Sequence, residues 1–157
     1  MSDAAAPQLC ARLLLTLDAV LDPPQMSAET PAGGRKIVTV RGGHFEGPRL
    51  KGEILPGGAD WALMRADGTL LLDVRLTLRT DDGALIYMTY WGMRHGPAPI
   101  MARLARGERV DPADYYFRIA PRFETAAGPY DWLNRILAIG LGDRLAAGPR
   151  YTIFEIL

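Results

Sequence analysis

The chain has 157 residues, 48% hydrophobic and 23% charged, a size and balance that suit one domain with its own core and exclude a disordered or membrane-embedded class. Its 18 basic residues meet 18 acidic ones, with no like-charge run beyond Asp81-Asp82, so no basic face for nucleic acid is expected. Cys10, the only cysteine, excludes an internal disulfide and fits a reducing cytoplasm.

Glycine and proline punctuate the sequence about every ten residues, and short alternating runs fill the intervals, the pattern of an all-β sandwich or barrel. Strands are expected near 11–21, 36–42, 49–55, 61–66, 69–80, 84–92, 115–125, 131–140 and 150–157. The N-terminal stretch carries an apolar run, but Asp3 precedes it, no basic start exists, and Arg12 and Asp18 interrupt it. Neither a signal peptide nor a transmembrane helix follows, so the expected location is cytoplasmic with no membrane partner.

Residues 42–61, "GGHFEGPRLKGEILPGGADW", hold six glycines and two prolines without phosphate-loop or nucleophile-elbow spacing. The glycines are read as bends and bulges that let a small sheet close, with "GGHFEGPR" as a connection and Pro56-Gly57 at the centre of a type II turn. Asp60-Trp61 follows at a strand entrance, where the carboxylate serves either as a general base or as a turn cap.

Asp67-Gly68 and Asp82-Gly83 each separate two apolar runs, so residues 61–92 read as a three-stranded meander. In "LLLDVRLTLR", Leu72, Val74, Leu76 and Leu78 take one face, and Asp73, Arg75, Thr77 and Arg79 take the other. With two-residue loops, Ala62 opposes Asp73, Tyr90 opposes Arg75 and Met88 opposes Thr77. Asp73 and Arg75 would then share a ligand cavity with Met88 and Tyr90. The other reading is an exposed Asp73–Arg75 ion pair, and a three-residue second loop would exchange Met88 and Tyr90 for Tyr87 and Trp91.

"APIMARLARGE" is the one convincing helix, at 98–108, inserted where a barrel carries a lid or plug. In "YYFRIAPRFE", Arg118 beside Tyr116 either anchors an anionic or carbonyl-bearing ligand or pairs with Asp73 or Asp131. "YDWLNRILAIG" reads as a strand by its alternation, with Trp132 and Asn134 on one face. They are either a cavity wall or, respectively, core packing and a backbone cap. His44 and His95 are scattered without partner ligands, so no metal is expected.

"GGHFEGPRLKGEILPGGADW", "DGTLLLDVRLTLRTDDGALIYM", "YYFRIAPRFET" and "YDWLNRILAIG", in this order and spacing, resemble the bacterial family of domain of unknown function 3237, also called UPF0311, from about Gly33 to the C-terminus. The resemblance implies a compact antiparallel β-barrel without a cofactor. The expected function is to hold a small, ringed organic ligand, with Asp73 as first and Asp60 as second proton-transferring group in an isomerase, cyclase or lyase, and Arg75, Arg118, Tyr90, Tyr116, Trp132, Asn134 and Met88 as ligand contacts. The alternatives are a non-catalytic carrier and a structural subunit self-associating through strands such as "RYTIFEIL". A homo-oligomer is expected in each case.

Overall fold

A computed structural model describes residues 6–157; the first five residues of the stretch read for a leader lie outside it. The described residues form ten strands, several of which, β6 and β8 most clearly, alternate in burial as the sequence pattern requires: β1 (Ala11–Leu21), β2 (Met26–Thr30), β3 (Gly33–Glu46), β4 (Lys51–Ile54), β5 (Ala59–Met64), β6 (Leu70–Thr80), β7 (Leu85–His95), β8 (Tyr116–Glu124), β9 (Ala138–Arg144) and β10 (Pro149–Ile156). All pair antiparallel in one sheet, and β1 pairs with both β10 and β3, which closes it.

Eight wall positions result, because β2 shares one position with β1 and β5 shares one with β4. β3 pairs with β2 and β5 through residues 33–39, then with β1 and β4 through residues 42–46. An eight-stranded barrel has an interior that side chains can just fill. The quoted glycine-rich stretch is where β3 changes partners. "GGHFE", expected in a connection, continues β3, and the connection is confined to residues 47–50. The turn at Pro56-Gly57 does form, with Gly57 at φ +109°.

Both hairpins close with one more residue than expected. Arg65 N–H donates to Thr69 O and Thr80 N–H to Ala84 O, leaving three-residue loops whose last residue is Gly68 (φ +83°) or Gly83 (φ +90°). This is the type I turn followed by a left-handed residue, which uses Asp-Gly as readily as a two-residue turn does. The register therefore shifts by one: Asp73 opposes Trp91, Val74 opposes Tyr90 and Leu76 opposes Met88.

The lower half of the barrel is solid, with Leu14, Leu17, Phe45, Leu78, Ile86 and Ile153 buried. Residues 128–135, expected as the start of a strand, form a 3-10 helix that crosses this lower end and buries Leu133; β9 begins only at Ala138. Pro129 in its first turn presets helical φ. Glu155 also points inward here, buried and paired with exposed Arg12 (3.0 Å) and Arg49. The inserted helix α1 (Ala98–Ala105) follows the upper end of β7 and buries Leu104; it ends at Ala105, three residues short of expectation, with Gly107 just beyond at φ +78°. Among the described residues, no helix is long and apolar enough to cross a membrane.

Candidate functional site

Above the packed half, the inward residues stop filling the barrel. On β6 and β7 the inward layers run, from the floor upward, Leu76–Met88, Val74–Tyr90, Leu72–Gly92 and Leu70–Arg94. Gly92 puts no side chain into its layer, and a cavity of about 70 Å³ remains between Tyr90 below and Arg94 above. Its walls are apolar, with Val38, Leu72, Val74 and Phe117 among them. Into it point one carboxylate, Asp60, two phenols, Tyr90 and Tyr151, and three cations, Lys36, Arg94 and Arg144. Beneath a pocket that opens upward, Met88 and Leu76 form a dry floor, each at most 2% exposed.

Asp60 lies on β5 directly opposite Val74, so alternation turns it inward beside Ala62, while Trp61 faces out. Its Oδ1 accepts a 3.1 Å hydrogen bond from the backbone N–H of Asp73. Burial pushes its pKa from an ordinary 3.8 up to about 6, assisted by the nearby Asp73 carboxylate and opposed by that hydrogen bond and by Arg94 and Lys36. Burial likewise holds the Lys36 ammonium below its usual value, with Arg94 and Arg144 adding repulsion.

Tyr90 and Tyr151 meet edge to face at 5.3 Å, and Tyr151 meets Phe117 in the same way at 5.3 Å. Burial raises both phenols, so they stay protonated donors across the physiological range. The Arg94 Nε is buried and, among the described residues, has no hydrogen-bond partner; the buried Tyr151 Oη lies close enough to the Tyr90 hydroxyl to feel it but makes no well-formed hydrogen bond there. Such groups have strong hydrogen-bonding capacity left to offer a bound molecule. Arg144 is held at the rim: its backbone N–H donates to the Tyr115 hydroxyl at 2.8 Å.

The register corrects most of the expected ligand set. Asp73 and Arg75 stand on the outer wall as an ion pair at 3.2 Å, each about half exposed, with the Arg75 guanidinium over the Trp61 ring. Met88 is core. Tyr116 is outside, stacked on His95 at 4.8 Å, and the half-exposed Arg118 lies over the Tyr116 ring and donates to the Phe117 carbonyl. Trp132 and Asn134 sit at the far end of the barrel. Arg49 covers Trp132 at 3.7 Å, and Asn134 bonds both the N–H and the C=O of Thr125. Of the expected residues, only Asp60 and Tyr90 meet at the pocket.

Lys36, Arg94, Arg144 and Tyr151 were not among the expected contacts. Their signal lay in alternation: Tyr90, Gly92 and Arg94 share a face of β7, and Tyr151, Ile153 and Glu155 share one of β10. Because Asp73 and Arg75 pair in solvent, Asp73→Asn should change stability by no more than about 1 kcal/mol in urea unfolding. It should also lower the Asp60 pKa, read by carboxyl carbon NMR, since a repelling charge is removed.

A family model described as a protein of unknown function (DUF3237) matches residues 9–156. A UPF0311 protein of Rhodopseudomonas palustris is 36% identical over 151 residues, covering 96% of this chain and 99% of the relative. The crystal structure of a conserved protein of unknown function from that species superposes with a TM-score of 0.91 at 35% identity, over 97% of this chain and 99% of the other. A β-barrel-like protein from Acinetobacter baumannii superposes with a TM-score of 0.84 at 39% identity, over 99% and 100% of the two chains. A hydroalkoxylation enzyme, phnH, of Penicillium herquei is 28% identical over 111 residues, spanning 71% of this chain and 59% of that protein.

Proposed function

The chain belongs to the DUF3237 family, and from that membership and the pocket geometry we propose that it binds a small organic molecule at the upper mouth of its barrel and moves a proton on it through Asp60. One observation carries this reading: Asp60 turns its carboxylate into the pocket among apolar walls and three cations, where burial pushes its pKa up to about 6. A carboxyl group so tuned exchanges protons near neutral pH in both directions, which suits general acid–base work. Arg94 and Arg144 stand where they would stabilise negative charge developing on a substrate oxygen, and the neutral phenol of Tyr151, next to that of Tyr90, can turn its O–H toward it.

The reaction class that fits these groups is a proton-coupled isomerisation, cyclisation or elimination. In hydroalkoxylation, the activity named for the fungal relative, an O–H adds across a carbon–carbon double bond: oxygen bonds one carbon, a proton bonds the other, and no electrons are exchanged with a redox partner. For it, protonated Asp60 would deliver a proton to one carbon, the oxygen would bond the other, and the Asp60 carboxylate so formed would take up the proton that the O–H gives up, with the donor set steadying the oxygen.

The test is ring closure of 2-allylphenol in deuterium oxide, followed by NMR. Wild type is expected to place deuterium on carbon, and Asp60→Asn to slow this by about 10²- to 10⁴-fold. Equal rates in the two proteins remove Asp60 from the mechanism. Retained ligand binding by wild type with no turnover across phenolic, carbonyl and alkene substrates would leave a carrier.

A further inference from the structure

The charge around the pocket is lopsided. Three cations, Lys36, Arg94 and Arg144, face one carboxylate that is itself partly protonated near neutral pH. Most arginines elsewhere on this chain are neutralised by neighbours, as in Arg109–Asp143 at 2.7 Å, Arg12–Glu155 at 3.0 Å and Arg150–Asp18 at 2.6 Å; the exceptions among the described residues, Arg35, Arg118 and Arg122, lie away from the cavity. Among the described residues, neither Arg94 nor Arg144 has such a carboxylate within 4.0 Å; the Arg144 side chain bonds only the Leu145 carbonyl, and Arg94 lies 5.5 Å over the Phe117 ring. Among the described residues the Arg94 Nε lacks a partner as well, and the fully buried Tyr151 Oη beside it has only the neighbouring Tyr90 hydroxyl, without a well-formed hydrogen bond. Holding two guanidiniums without a counter-charge at an apolar cavity is costly unless an anionic acceptor arrives.

We infer that this pocket takes its ligand as an oxyanion conjugated to a flat apolar body, a carboxylate or a phenolate or enolate, with the charged oxygen between Arg94, Arg144 and the Tyr151 hydroxyl and the body against Leu72, Val74 and Phe117. This rests on the reading of the pocket as the functional site and names the substrate class it admits. Arginine suits the role because its planar fork of N–H donors matches a delocalised oxyanion. The cavity of about 70 Å³ is smaller than the ~150 Å³ that takes up benzene in a closed site, so the ligand inserts an edge and leaves its remainder in the mouth by Lys36 and Leu21. The oxyanion then lies in the same pocket as Asp60, where a protonated carboxyl can serve the bound molecule as an acid.

The groups facing the pocket that titrate are Asp60, Lys36, Tyr90 and Tyr151, with Tyr115 behind Arg144 and Asp73 outside Asp60; both histidines lie on the outer wall or its rim. Asp60, with its pKa pushed up to about 6, becomes neutral as pH falls through that value. Anion affinity should therefore rise on acidification through about pH 6, provided the probe stays ionised.

The experiment is isothermal titration of the full chain, at about pH 8, with benzoate, with 4-nitrophenol held as its anion, and with neutral benzamide. The two anions separate carboxylate from phenolate ligands. At least one is expected to bind about tenfold or more tightly than benzamide, and Arg94→Met to remove about tenfold of that affinity while leaving benzamide unchanged. Arg144→Met, at the rim, gives the same direction should the first variant fold poorly. Benzamide matching both anions, anion affinity untouched in both variants, or no binding by any probe each overturns the inference. Carboxyl carbon NMR of Asp60 in the same samples keeps the two readings apart. Benzamide bound as tightly as the anions and shifting the Asp60 signal would end the oxyanion claim and spare the pocket. Anions bound through Arg94 beside an Asp60 that titrates at an ordinary value would end the proton-transfer role and spare the oxyanion claim.

Discussion

Asp60→Asn is expected to make the protein more stable and unable to do its chemistry. The folded-state pKa of about 6 lies above the ordinary 3.8, so the native state binds a proton that the unfolded chain releases. Below about pH 4 both states are protonated and Asp60 costs nothing by this route. As pH rises toward 6 the unfolded state ionises first and native stability falls; above about 6 both are ionised and the loss is constant. The difference between about 6 and 3.8, at about 1.36 kcal/mol per pH unit, caps the loss near 3 kcal/mol, and partial solvent access brings it to about 1–2 kcal/mol.

An asparagine keeps the hydrogen bond from the Asp73 N–H and removes the buried charge. The variant should gain about 1–2 kcal/mol at pH near 8, an increase in Tm of about 3–6 °C for a chain of this size, and the gain should fade as the unfolding series approaches pH 4. A destabilised variant, or a gain independent of pH, would mean that Asp60 is held ionised by Arg94 and Lys36 and does not serve as an acid at neutral pH. The expected trade of stability for a strained functional group is what a site under selection for reactivity carries.

The closed, antiparallel architecture was legible from the alternation of β6 and from regular turn signals, and the helix after β7 from its capping glycine. The identity of the inward face was legible too, since Leu72 to Leu78 could only be core. What faced that core across the hairpins was not. An Asp-Gly pair ends two- and three-residue loops alike, and that single residue decides whether Tyr90 stands beside Arg75 outside or beside Val74 and Asp60 within. The strand β2, five residues between Pro24 and Pro31, is too short and polar to announce itself, and forms because β3 outruns β1. The cations of the pocket come from β3, β7 and β9, so their meeting depends on closure of the whole barrel and on no local spacing.

The glycine-rich stretch supplies the second large effect. Gly43 sits where β3 exchanges β2 and β5 for β1 and β4, at φ +140°, and a Cβ there would lie 2.0 Å from the Asp18 carbonyl oxygen, 2.9 Å from Ile54 Cδ1 and 3.1 Å from Ala19 Cα. Two of these neighbours are backbone of the strand that closes the barrel, so neither can yield without parting β1 from β3. Gly57, in the turn after β4, is a built-in control: φ is +109°, and nothing lies within 4 Å of its missing Cβ. Gly57→Ala should show only backbone strain, about 1–3 kcal/mol. Gly43→Ala adds a clash to that strain and is expected to cost about 4 kcal/mol or more, enough to leave much of the chain unfolded near 37 °C. Urea unfolding of the two variants decides between the causes: equal losses would show that the glycines serve turn geometry alone, whereas a far larger loss at Gly43 locates the requirement in the strand exchange. That exchange also sets the pocket, because Val38 and Val40, which line its wall, lie in β3 just before the bend.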